Sequence, residues 1–269
     1  MPQAQGWRRC VAGRRGVHSW AMVIDCHVHI RTAEEAELEG LLEAADRAGV
    51  ERLCVSSLGR VWSEFPTAQE LEEAADDVLE ACRRHPERLI GAVYASADHA
   101  ETSVALLERH VANGPFRLLK LWVSQFMDDP RLNPVVERCI ELDVPILAHT
   151  WVKATGNMAK ESTYHHVVNM ARRYPDMKVW MAHVSGRWEE TGRVIRDYPN
   201  VCVDVSGGEP EDGIVECLVR HVGPARIFWG SDAPGRSFAV QMTKVLAAQI
   251  PEEHKQMILG GNVRRWLHV

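Results

Sequence analysis

Two histidines stand one residue apart in the stretch IDCHVHI, residues 24 to 30, with an aspartate two positions before the first. Side chains alternate faces along a β-strand. That spacing puts Asp25, His27 and His29 on one face and Cys26, Val28 and Ile30 on the other. Two imidazoles side by side can hold a metal ion. Composition alone also yields such pairs: 13 histidines in 269 residues give roughly 0.6 His-x-His pairs by chance. The pair gains weight only if further ligands sit where a fold would bring them beside it.

The elements that would do so can be traced along the chain. From residue 22 onward, short apolar runs alternate with segments of helical spacing. The expected strands are 22–30, 51–58, 88–96, 116–122, 144–150, 178–186, 201–207 and 225–233. Between them lie expected helices at 33–49, 68–85, 102–113, 133–143, 164–175, 189–199 and 211–223, with more helix from 238 to the end. The strands are apolar along most of their length, as in a parallel sheet buried on both faces. Eight βα units in a chain of this length point to one (β/α)8 TIM-type barrel spanning 22–269. No Gly-x-Gly-x-x-Gly follows the first strand, which argues against a dinucleotide-binding sheet.

Bulk properties narrow the field. The chain is 46% hydrophobic and 25% charged, with a formal charge of −6 and no basic run, so nucleic acid is not an expected partner. No apolar stretch approaches the ~18 residues needed to cross a bilayer. Seven cysteines lie scattered without a Cys-x-x-Cys pair, which suggests free thiols in a reducing, cytoplasmic setting. Residues 1–21 contain four arginines and no carboxylate; we treat them as a dispensable extension. The partner expected is a small molecule, and a homo-oligomer is left open.

In a barrel of this kind, chemistry gathers at the C-terminal ends of the strands. His27 and His29 end the first strand, Lys120 lies on the fourth, His149 ends the fifth, His183 the sixth and Asp232 the eighth. Imidazoles with a carboxylate suit zinc or a similar divalent ion with one position open to water. Cys26, on the opposite parity, would take no part.

These residues sit in DCHVH, ILAHT, WMAHVSG, FWGSDAPG and the C-terminal ILGGNVRRWL. The ordered set resembles the amidohydrolase superfamily. Its nearest branch is the amidohydrolase-related group, which includes metal-dependent hydrolases and decarboxylases of the aminocarboxymuconate-semialdehyde type. The resemblance implies His27, His29, His149 and Asp232 as metal ligands, with one ion favoured over two. It implies that His183 faces water or substrate, or ligates a second ion. In two-metal relatives a strand-four lysine is carbamylated and bridges the ions; the run KLW does not decide this for Lys120, which is a candidate for a second metal or for substrate, with a charge near the substrate or a structural ion pair favoured.

Asp232 and His183 are the candidate catalytic pair. A divalent metal lowers the pKa of water toward 7; Asp232 could take the proton and His183 could steer the water or bind an oxyanion. The leading expectation is therefore a metal-dependent hydrolase of an amide, ester or lactone. The alternatives are a non-oxidative decarboxylase of an aromatic or unsaturated acid, and a barrel that binds a ligand without turnover. Trp62, Trp122, Trp151 and Trp188 follow strands on the mouth side and suggest an aromatic pocket. Arg60, Arg187 and Arg236 could meet a carboxylate, and Glu161, in the long loop after strand five, could reach the mouth. The histidines off the strand ends, such as His110 and His166, are read as structural.

Overall fold

The computed structural model describes residues 22–269. The expected extension, with Cys10 and His18, lies outside the described residues. Eight parallel strands run in consecutive order: β1 Ile24–Ile30, β2 Arg52–Ser57, β3 Leu89–Ala95, β4 Leu118–Leu121, β5 Ile146–Ala148, β6 Val179–Met181, β7 Val201–Asp204 and β8 Ile227–Phe228. The ring closes between the last strand and the first. Cys26 N donates to Trp229 O at 3.1 Å, Asp232 N to His27 O at 2.9 Å and His29 N to Ala233 O at 2.8 Å. The helices are α1 Glu35–Ala48, α2 Ala68–Arg84, α3 Ala100–Leu107, α4 Asn133–Glu141, α5 Tyr164–Arg173, α6 Trp188–Ile195, α7 Ile214–Val222 and α8 Phe238–Leu246. Two short helices, α9 Glu252–Gln256 and α10 Asn262–Leu267, complete the chain. This is the expected (β/α)8 barrel.

Two apolar layers hold it together. Inside the ring, Ile24, Cys54, Ile90, Leu118, Leu147, Trp180, Cys202 and Phe228 supply one side chain from each strand, and Val263 and Leu267 of α10 pack against this layer. Outside the ring, side chains such as Val28, Ile30, Val93, Leu119 and Val203 pack against the helices. Each large side chain fully buried in this way contributes about 1.5–3 kcal/mol. The six described cysteines are free and buried.

Strict alternation fails in β1. Asp25 pairs with Leu53 but Val28 pairs with Val55, so Cys26 and His27 together oppose one residue of β2. This β-bulge resets the parity. Ile24 and Cys26 belong to the inner layer, while His27 and His29 both reach the mouth. Asp25 does not share their face: its carboxylate accepts the N–H groups of His27 at 2.9 Å and of Ser231 at 3.0 Å, tying β1 to the chain after β8. Cys26 therefore lies inside the ring, contrary to simple strand parity, packed among apolar side chains. The crowding explains the glycine of the Gly-Ser-Asp run. A Cβ on Gly230 would stand 2.8 Å from His27 Cβ and 3.1 Å from Cys26 Sγ.

Several strands are shorter than the apolar runs suggest, because the chain leaves the ladder to aim polar groups. After Met181 the residues His183, Val184 and Ser185 take φ values of 62°, 46° and 54°. A β-branched residue there is a genuine outlier, and such strain concentrates at functional sites. Asp232, with φ 68°, lies in an equally tight turn beyond β8.

Candidate metal centre

His27 and His29 converge at the mouth with their Nε2 atoms 3.1 Å apart. Asp232 Oδ1 stands 3.8 Å from His27 Nε2 and 3.6 Å from His29 Nε2. One donor atom from each of these three residues lies within 4.8 Å of the others. The far side of each ring is already committed. His27 Nδ1 is 3.1 Å from Asp204 Oδ2 and 2.9 Å from Ser206 Oγ, and His29 Nδ1 is 3.1 Å from Ser56 Oγ. With Nδ1–H given outward, both Nε2 lone pairs face inward. Such outer partners fix the ring tautomer at metal sites. Two lone pairs at this distance repel unless a cation lies near both, so the donor set fits a divalent ion. Lys120 Nζ, 2.8 Å from His27 Nε2, supplies positive charge at the same place.

Electrostatics agree with this use. Burial, reinforced by the charge of Lys120, holds His27 and His29 well below the usual imidazole range, so both are neutral, the ligating form. Burial lowers Lys120, against the pull of Asp232 and Asp204, and raises Asp232, against the pull of Lys120. The Asp232 side chain keeps 24% of its surface exposed, open toward the mouth.

His183 stands beside this group. Its ring centroid is 5.0 Å from those of His27 and His149, and its Nδ1 lies 3.1 Å from Ser206 O. Asp204 underlies both histidines. Its carboxylate accepts the backbone N–H groups of His183 and Ser206, each at 3.0 Å, as well as facing His27 Nδ1. Gly207, with φ 59°, leaves room for the His183 ring; a Cβ there would lie 2.5 Å from Nδ1. Sequence reasoning passed over Asp204 and Ser206. The available signal was a single carboxylate in the apolar run VCVDV, at the same strand end as the other polar groups.

His149 is turned differently. Its Nε2 lies 2.8 Å from Glu161 Oε1, and it is not grouped with His27, His29 and Asp232. Glu161 is buried and also pairs with Lys153 at 2.7 Å. Burial alone would raise the Glu161 carboxyl, but hydrogen bonds from His149, Lys153 and the Met158 N–H outweigh it and hold it down at about 2.

The four tryptophans lie around the mouth. Trp62 packs edge-on against His29 at 5.3 Å and against Trp122 at 6.2 Å, and Trp151 lies 4.7 Å from His183. Trp188 lines a small cleft together with Trp151 and His183 and gives its indole N–H to Glu211. Arg60 pairs with Asp77 at 3.4 Å and Arg187 with Glu190 at 3.8 Å, both on the surface. Arg236 is exposed and borders a cleft of about 550 Å³ that also touches His29. His110 is buried and stacked on Phe116, and His166 on Phe126, in keeping with structural roles. Among the described residues, no helix is long and apolar enough to cross a membrane.

The amidohydrolase family model matches residues 24–269. The chain belongs to the amidohydrolase family. Within this enzyme family it groups with the aminocarboxymuconate-semialdehyde decarboxylase-like branch. It is 22% identical over 247 residues to 2-amino-3-carboxymuconate-6-semialdehyde decarboxylase of Dictyostelium discoideum, covering 77% of this chain and 68% of that one. The fold is shared with 2,6-dihydroxybenzoate decarboxylase from Rhizobium, with TM-score 0.75, 16% identity and coverage of 92% of this chain and 98% of that one. It is shared equally with a dihydroxybenzoic acid decarboxylase from a Polaromonas species, solved with manganese and the inhibitor 2-nitroresorcinol. There the TM-score is 0.75, the identity 17% and the coverage 92% and 97%.

Proposed function

We propose that this amidohydrolase catalyses the non-oxidative decarboxylation of an aromatic or unsaturated carboxylic acid at a divalent metal centre. The observation that carries this reading over hydrolysis is that the relatives just named are decarboxylases. Hydrolysis, the leading expectation from the sequence, has less support. The mouth suits a flat acid, since Trp62, Trp122 and Trp151 offer ring faces and edges around His29 and His183.

The residues divide the work. His27, His29 and Asp232 would hold the ion; the family resemblance adds His149, through Nδ1, the ring nitrogen that Glu161 leaves free. A bound divalent cation supplies Lewis-acid polarisation of the substrate's oxygen atoms. The tryptophans orient the ring and exclude water. Loss of carbon dioxide leaves an electron pair on the former carboxyl-bearing carbon, and that carbon must gain one proton. A solvent proton relayed through Asp232, whose side chain keeps 24% of its surface exposed toward the mouth, would supply it. His183, neutral by burial, is placed to hydrogen-bond a ring substituent and keep the carbon in reach. Zinc remains our expected metal, and manganese is the natural comparison. A reducing compartment such as the cytoplasm suits the buried free thiols.

The test is a parallel panel of hydroxybenzoates and unsaturated diacids against esters, amides and lactones, each with the metal-loaded protein. Carbon dioxide release is expected from the acids, with one solvent deuterium appearing on the vacated carbon in heavy water. Ester, amide or lactone cleavage without carbon dioxide release would overturn the proposal.

A further inference from the structure

The chain between β5 and α5, residues 149–163, is fastened to the mouth at several points. Glu161, 1% exposed, receives His149 Nε2–H at 2.8 Å and Lys153 Nζ at 2.7 Å on Oε1, and the Met158 N–H at 3.1 Å on Oε2. The Trp151 ring, from the start of the same loop, lies against His183, and the Trp151 backbone N–H donates to Ser162 O at 2.8 Å. A carboxylate this deeply buried is costly unless both oxygens are satisfied, and here they are. With Nε2 of His149 given to Glu161, Nδ1 is the ring nitrogen left to ligate. His27 and His29 follow the same logic with the nitrogens exchanged: Nδ1 is held from outside and Nε2 faces in.

We infer that Glu161 is the positioning residue of His149, and that the Glu161–Lys153 pair couples folding of the 149–163 loop over the mouth to cation binding. The inference rests on the metal-centre part of the proposed function, not on which bond the enzyme breaks. An imidazole ligates through one nitrogen only when the other carries its proton, and a carboxylate accepting that proton's hydrogen bond fixes both tautomer and ring angle. Glu161 can do this only while its own loop lies folded, because Lys153 and the Met158 N–H, which balance its charge, belong to that loop. Linkage then requires reciprocity: whatever factor loop closure adds to cation affinity, the cation adds to loop closure.

The experiment uses the full chain and Mn²⁺ alone, without substrate. Free Mn²⁺ is titrated by its paramagnetic resonance signal, and hydrogen exchange of residues 149–163 is followed with and without the ion. Wild-type protein should bind one Mn²⁺ and slow exchange in the loop on binding. Glu161→Ala should lose roughly 10–100-fold in Mn²⁺ affinity, and Glu161→Gln, which keeps an acceptor oxygen, should regain part of it. Lys153→Met should speed loop exchange and weaken Mn²⁺ binding by a smaller factor. If the Glu161 variants do not fold, Lys153→Met carries the test. Wild-type affinity in Glu161→Ala, wild-type exchange in Lys153→Met, or no Mn²⁺ binding by the wild-type protein would each overturn the inference. Decarboxylation is not the readout, so its absence would fall on the proposed function alone.

Discussion

His27 shows how the two nitrogens of one imidazole are given separate tasks. Nδ1 faces Asp204 and Ser206, and Nε2 faces His29, Lys120 and Asp232. Asp204 is fully buried, and it fixes the ring that would hold the metal and the backbone that carries His183. Asp204→Asn should therefore weaken metal binding by about 10–100-fold with the fold retained, read as metal content after dialysis against a graded chelator. His183 and Asp232 should respond differently. His183→Asn should lower kcat by at least about 100-fold, the lower range for general acid–base and hydrogen-bonding groups, while most of the metal stays bound. Asp232→Ala should lose metal and activity together. Full metal retention in the Asp232 variant would show that its carboxylate is not a ligand.

At the scale of elements, the decisive pieces are the turns just beyond the strands. The β7–α7 loop carries Ser206 and Gly207 and is clamped from behind by α8. Lys244 Nζ, buried, donates to Val205 O at 2.9 Å and to Gly207 O at 2.6 Å. Gly207→Ala would place a methyl against His183 in a backbone region that suits glycine. Steady-state kinetics should show a kcat reduced at least about tenfold, the effect of small misplacements of a reacting group, with far-ultraviolet circular dichroism unchanged. The clamp also predicts a pH signature. Burial pushes Lys244 from its ordinary 10.5 to about 8. Between those values the unfolded chain holds a proton that the folded chain has released, so unfolding free energy rises with pH through that window. Below pH 8 the cost of burying the ammonium is present in full. Urea denaturation at pH 7 and pH 9.5 should show wild-type protein gaining stability relative to Lys244→Met. An equal shift in both would place the titration elsewhere.

For the molecule as a whole, metal and fold should be linked. The proposed ligands come from β1, the end of β5 and the turn after β8, so an ion would bridge the point where the ring closes. An ion that binds only the folded state adds about 2.7 kcal/mol when present at 100 times its dissociation constant. Chelation should lower the thermal midpoint, and Mn²⁺ or zinc should restore it, as scanning calorimetry can read. The same effect should vanish in His27→Ala. A midpoint indifferent to chelator would mean that the barrel closes without help from the site.

Much of this is legible in the sequence by itself. Eight apolar runs alternating with helical segments specify the barrel, because hydrophobic periodicity is a local property of the chain and each βα unit announces itself. The barrel in turn brings His27, His29, Lys120, His149, His183 and Asp232 to one mouth, since strand ends in this fold face the same way. What the tertiary structure alone decided is finer. The bulge in β1 separates Asp25 from the histidines and turns Cys26 inward, and it arises from how β1 meets β2 and the chain after β8. Asp204 behind His27, Glu161 on His149 and Asp77 on Arg60 are likewise choices among residues brought together from different elements. Periodicity carries no record of which residue from another strand will stand 3 Å away, and the ring nitrogen that is free to bind depends on that neighbour.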